Sequence, residues 1–240
     1  EKFAWRPCWG GLSLADLEND GDFELLMTDR GSNYGDDGYG KGLQCYDADT
    51  LELLWYDENI TCSSHCAALI DVNDDDVLDA VVMDQGPDYE NQEVDGSGPF
   101  CYDGSTGERI PGMFSDELNM TSHSQFSIYD IDNDGNIEII SSSAAPAKVW
   151  DLNDWSLDAT LGYAGEPPKM ADVMGDSNLE IIGSGSSSVP IYNGSTFVEE
   201  VVIPTGARAS NLVQDIDNDG LNELILIDSS GTIKVYETTA

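Results

Sequence analysis

The chain has 240 residues, 40% of them hydrophobic, and carries 47 acidic against 9 Lys or Arg side chains, for a formal net charge of -38. That balance excludes a nucleic-acid partner, whose phosphates attract the opposite sign, and disfavours unaided docking to anionic lipid. No apolar run approaches the ~18 to 20 residues of a membrane span, so no membrane insertion is expected. Gly and short β-branched runs dominate and no long segment has a 3.6-residue period, which predicts an all-β fold in one domain over residues 1–240. The start at Glu1 rather than Met reads as a processed or trimmed N-terminus.

In chain order, residues 16–24 hold the first of five related loops. With the first Asp as position 1, Asp16, Glu18, Asp20, Gly21 and Glu24 stand at positions 1, 3, 5, 6 and 9. The second loop has Asp71, Asn73, Asp75 and Asp79, with Asp76 in the Gly place, and the third has Asp130, Asp132, Asp134, Gly135 and Glu138. The fifth has Asp215, Asp217, Asp219, Gly220 and Glu223. The fourth, Asp172, Met174, Asp176, Ser177 and Glu180, lacks the position-3 oxygen and the position-6 Gly, so poor metal binding or none is expected there.

Alternate spacing lets a turning backbone aim several oxygens at one point, Gly admits the positive φ of the bend, and a later acid closes the shell. One such loop alone also has a reading as an ion-free turn, because Asp and Asn cap their own backbone. Repeated near-complete copies point instead to Ca2+, at three to four sites. An EF-hand closes with Glu at position 12 between helices. Here the acid comes at 9 and is followed by short aliphatic strands such as EIISSS and ELILID.

First Asps lie 55, 59, 42 and 43 residues apart, and each loop is followed by an aromatic marker: Tyr46, Tyr102, Trp150, Tyr192 and Tyr236. A fixed period of this size signals repeats. Each reads as four strands, a to d: a before the loop, b after it, c ending at the marker, and d after a short turn. In the first repeat these are residues 11–15, 23–28, 43–46 and 51–56. The reading is a five-bladed β-propeller of four-stranded antiparallel blades. The last repeat stops after strand c, and Trp5 would follow Tyr236 at the nine-residue offset that separates Trp55 from Tyr46 if Ala240 joined Glu1. The N-terminal strand, residues 2–6, is therefore predicted to complete the last blade, either in the same molecule or in a neighbour, which would build a homopolymer by strand exchange.

These loops, each leading into a short aliphatic strand, resemble the FG-GAP/VCBS repeats of integrin α-subunit propellers and microbial surface proteins. The resemblance implies side-chain ligation from positions 1, 3, 5 and 9 and a backbone carbonyl from position 7, which marks Asp22, Val77, Asn136 and Leu221. Integrin propellers have seven blades, so partners do not carry over.

The b–c insertions 29–42 and 84–99 and the d–a connections 57–66 and 115–125 fall on the face opposite the loops. Tyr34, Tyr39, His65, Tyr89 and His123 there form a candidate ligand face for a protein or glycan. Sequons at Asn59, Asn119 and Asn193, together with loops suited to millimolar calcium, point to an extracellular or cell-surface setting and to glycosylation. Five Cys, at 8, 45, 62, 66 and 101, predict up to two disulfides and one remaining thiol. Two function classes stay open. The first is a non-catalytic module for adhesion, recognition or surface assembly, including filaments; the second is a carbohydrate-active enzyme, a polysaccharide lyase or glycoside hydrolase.

Overall fold

The computed structural model describes residues 10–30, 41–57, 60, 62, 66–73, 75–83, 99–110, 125–142, 146–163, 168–185, 187–205, 210–228 and 230–238. Among them the chain is all-β, with antiparallel sheets built from strands adjacent in sequence. They fall in two compact units, Glu1–Ser124 and Gln125–Ala240.

In the first unit β1 (Leu12–Ala15), β2 (Glu24–Arg30), β3 (Lys41–Asp47) and β4 (Leu53–Asp57) form one four-stranded sheet, and β5 (Ala68–Ile70), β6 (Asp79–Met83) and β7 (Pro99–Tyr102) form a three-stranded one. In the second unit β8 (Gln125–Tyr129), β9 (Glu138–Ser142), β10 (Lys148–Asp151) and β11 (Leu157–Thr160) form a sheet, as do β12 (Lys169–Ala171), β13 (Glu180–Ile182), β14 (Ser188–Asn193) and β15 (Glu199–Pro204). The last sheet contains β16 (Ser210–Gln214), β17 (Glu223–Ile227) and β18 (Ile233–Tyr236). The a–b–c–d reading thus holds for three sheets. The first-repeat strands lie within two residues of their expected starts, and strand d begins later because residues 48–50 form the turn. Residues 2–6, expected to complete the last sheet, lie outside the described residues.

Alternation along the strands decides which side chains are buried. In the first unit Leu26, Leu43, Cys45 and Trp55 face Ala80, Val82, Phe100 and Tyr102 of the next sheet, and the Trp55 Nε1–H donates to Gly104 O at 2.8 Å. In the second unit Ile140 and Val149 pack with Ile181 and Tyr192, and Ile182, Ile191 and Ile203 pack with Leu224 and Leu226. The opposite side of the first sheet exposes Leu12, Leu14, Leu54 and Tyr56, and the last sheet exposes Leu212, Ile227, Ile233 and Val235. Three of the aromatic markers, Tyr102, Trp150 and Tyr192, are buried, in keeping with core roles. Register shifts fall directly before Tyr46, Trp150 and Tyr192, so the marker follows a bulge that carries the chain into the c–d turn.

Candidate metal centre

Each Asp loop is built by its own carboxylates. The position-1 side chain bridges two backbone donors: Asp130 Oδ1 accepts from Asp134 N at 3.1 Å and Oδ2 from Gly135 N at 3.2 Å. The equivalent bonds to Asp16 come from Asp20 N and Gly21 N, both at 2.9 Å. Asp71 accepts from Asp75 N and Asp76 N, and Asp215 from Asn218 N and Gly220 N. At position 9 one carboxylate oxygen accepts the position-2 N–H, as Glu138 Oε2 does from Ile131 N and Glu223 Oε2 from Ile216 N, each at 2.8 Å. The bend requires positive φ at positions 4 and 6: Asn133 and Gly135 stand at 59° and 96°, Asn218 and Gly220 at 63° and 94°. Asp76 takes the position-6 conformation at 67° without a Gly.

Position 9 forms the floor. Asp79, Glu138 and Glu223 are 0%, 4% and 1% exposed, although each begins a strand on the loop's own sheet. An ionised carboxylate at that depth requires a compensating cation or a proton. The ligand atoms of Asp130, Asp132 and Glu138 lie within 4.8 Å of one another, and so do those of Asp215, Asp217 and Glu223. Oxygens bound to one calcium at 2.3–2.6 Å are separated by no more than about 5 Å, so both clusters can hold a metal ion. Burial pushes the Glu138 carboxyl up to about 7, with Asp132, Asp130 and Asp134 adding to the effect. Burial likewise lifts Asp79 to about 6, and its Oδ1 is buried with no hydrogen-bond partner while Oδ2 accepts from Val72 N. An ion pair among the described residues, Lys234 to Asp228 at 3.2 Å, lies at the far end of β17 from the loop.

Position 5 differs from the sequence expectation in detail. One oxygen each of Asp20, Asp75, Asp134 and Asp219 accepts the position-7 N–H, from Asp22, Val77, Asn136 and Leu221 at 2.8–2.9 Å. The second oxygen of Asp134 accepts from Asn136 Nδ2 at 3.2 Å. Of the remaining expected ligands, Asn73 Oδ1 accepts from Asp75 N, Glu18 is exposed, and Glu24 Oε2 accepts from Leu17 N. Neighbouring loops are tied together within each unit: Leu78 N donates to Leu17 O in the first, and Asn222 Nδ2 to Asp172 O in the second.

The turns after the markers are built by the same kind of side-chain-to-backbone hydrogen bond. Asp47 Oδ1 accepts Thr50 N and Oγ1, Asp103 Oδ1 accepts Thr106 N and Oγ1, and Asn193 Oδ1 accepts Thr196 N and Oγ1. The Asn193 sequon therefore has a turn-forming role of its own. The other sequon residues, Asn59 and Asn119, and the proposed ligand-face residues Tyr34, Tyr39, His65, Tyr89 and His123 lie outside the described residues. No disulfide joins Cys45, Cys62, Cys66 and Cys101 to one another; burial pushes the Cys45 thiol up to about 12 and raises that of Cys101 as well. Buried, protonated thiols of this kind are inert.

No protein-family model matches the sequence, and no curated protein matches it. Solved structures do match. The chain is similar to the Dos1 propeller, at 15% identity and TM-score 0.54, over 95% of this chain and 56% of that one. It is similar to BBS1N in complex with ARL6DN, at 11% identity and TM-score 0.52, over 99% and 79%. It is also similar to an Agrocybe aegerita lectin that recognises non-reducing terminal N-acetylglucosamine, at 13% identity and TM-score 0.52, over 97% and 67%. At these identities the likeness shows the fold, which is of β-propeller type. The FG-GAP/VCBS resemblance rests on the loop residues themselves.

Proposed function

We propose that the chain is a calcium-stiffened, non-catalytic propeller module that recognises a protein or glycan outside the cell or at its surface. The observation that carries this reading is the pair of acid triads, Asp130/Asp132/Glu138 and Asp215/Asp217/Glu223, gathered over a buried Glu. An all-oxygen donor set on a flexible loop suits Ca2+ better than the softer transition metals. Positions 1, 3, 5 and 9 of loops one, two, three and five would hold the ion, with the position-7 carbonyls of Asp22, Val77, Asn136 and Leu221. Bound calcium supplies the positive charge that lets a buried carboxylate stay ionised and pins each loop to its sheet. In this reading the five sheets are the blades of one propeller, and residues 2–6 complete the last.

Recognition is assigned to the b–c and d–a connections, whose sequences carry Tyr34, Tyr39, Tyr89, His65 and His123. Two structures of similar fold support that assignment by what they bind: BBS1N is in complex with ARL6DN, and the lectin recognises a sugar. A second copy of the chain is a further candidate partner, through strand exchange. The test is a panel of glycans and surface proteins assayed for binding and for chain cleavage in calcium and in chelator. Calcium-dependent binding weakened by Tyr34→Ala or Tyr39→Ala is expected. Glycan turnover abolished by His65→Ala or His123→Ala would replace this reading with a carbohydrate-active enzyme.

A further inference from the structure

The fourth loop, residues 172–180, keeps the backbone of the others. Asp172 accepts from Gly175 N at 2.6 Å and Ser177 N at 2.9 Å, and the two positive-φ positions are filled by Gly175 at 76° and Ser177 at 72°. The Gly missing from position 6 has its counterpart at position 4. The position-9 floor is also present: Glu180 is 0% exposed, and its Oε2 accepts from Val173 N at 2.8 Å and Met174 N at 3.2 Å. Two things differ. Met174 replaces the position-3 oxygen and lines an apolar cleft with Val201, Val202, Leu224 and Tyr236. Among the described residues, moreover, the acids of this loop do not gather into a triad as those of loops three and five do. Glu180 Oε1 is left fully buried with no partner.

We infer that this loop is closed by a proton where its neighbours recruit a metal ion, with Glu180 held as a neutral carboxylic acid. Among the described residues the groups around the carboxyl, beyond the Val173 and Met174 N–H donors, are neutral or acidic. Asp172 and Asp176 face the carboxyl with their own negative charge, its cross-strand neighbours Ala171 and Asn193 are neutral, and Asn222 and Thr238 of the last sheet cover the loop with neutral groups. The acid Glu237 lines the cleft beside Met174. Burial pushes the Glu180 carboxyl up to about 7, with Asp176 and Asp172 adding to it. A carboxyl raised in the folded state stabilises the fold at low pH, and that stabilisation is lost as pH rises from the unfolded value towards 7. A metal-closed loop behaves in the opposite way, because the proton competes with the ion.

The inference rests on the calcium reading of the other loops, and the test separates the two. Wild type and Glu180→Gln are compared in saturating calcium by unfolding at pH 5 to 8 and by calorimetric counting of bound calcium. Glu180→Gln should keep the full calcium count, and wild type should lose stability relative to it as pH rises, by up to about 100-fold in the ratio of unfolding constants. A variant that loses one calcium, or a ratio independent of pH, overturns the inference. If the variant does not fold, carbon-13 labelled Glu carboxyls of calcium-loaded wild type decide: one midpoint near neutral pH supports it, and all midpoints below about pH 5 overturn it. If no loop binds calcium and the pH-dependent ratio remains, the proposed function fails and the protonated Glu180 stands.

Discussion

The loops at residues 130–138 and 172–180 share a backbone and differ in what it can hold. In both, the first Asp ties down two N–H groups, the last Glu caps the second residue from below, and positive φ recurs two residues apart. One presents Asp132 where the other presents Met174, and the triad gathers in the first alone. Turn formation and ion binding are therefore separable jobs carried by the same acids. Backbone hydrogen bonds fold both loops, and the position-3 acid is a member of the triad in loops three and five.

The largest expected effect tests both jobs together. Asp130→Ala and Asp172→Ala each strand two loop N–H groups and should each cost about 1–3 kcal/mol in urea unfolding without calcium. Asp130→Ala alone should also lose one bound calcium, and with it about 2.7 kcal/mol of further stabilisation at a hundredfold excess over Kd. Next comes the swap at position 3. Asp132→Met should remove one calcium by calorimetry while changing calcium-free stability by less than about 1 kcal/mol, since the Asp130 and Glu138 bonds remain, and Met174→Asp should add one.

A smaller effect is expected at Asp103, an acid that shapes a turn with no ion. Asp103→Ala should cost about 1 kcal/mol, whereas Asp103→Asn should cost little, because Asn193 fills the same role in the fourth repeat. Burial works to raise the Asp103 carboxyl, but hydrogen bonds from Thr106 and Ser105 outweigh it and hold it below its usual value. Its contribution is present above the unfolded value near 4 and lost as pH falls through the folded one, so Asp103→Asn should flatten acid unfolding below about pH 4. Smallest of all, Ser177→Gly should stabilise the fourth loop by about 0.5 kcal/mol, since Ser pays for its φ of 72° and Gly does not.

Much of this was written in the spacing. Period-2 strands after each position-9 acid placed β2, β9 and β17 closely, and the marker aromatics fixed where strand c ends. What spacing does not encode is which oxygen of an acid faces inward. Positions 5 and 7 share a turn in the sequence, but only the fold shows that one Asp134 oxygen is taken by Asn136 N. Burial of Glu180 is not encoded there either: it begins a strand as the other floor acids do, and Met174, in the position-3 place, lines an apolar cleft. The motif names one bend residue where the backbone bends twice, and in the fourth loop the Gly stands at the first bend, as Gly175, with Ser177 at the second. Cys45 and Cys101 suggested bridges by number, yet pairing depends on proximity across sheets, which sequence separation does not report.

The most direct test is calorimetric titration of the chain with calcium, read together with thermal unfolding. Three to four sites and a large calcium-linked rise in Tm are predicted, with Glu138→Gln and Glu223→Gln each removing one site and Glu180→Gln removing none. A chain that binds no calcium and unfolds at the same temperature in chelator would contradict the account, leaving the loops as turns held by their own side-chain-to-backbone hydrogen bonds.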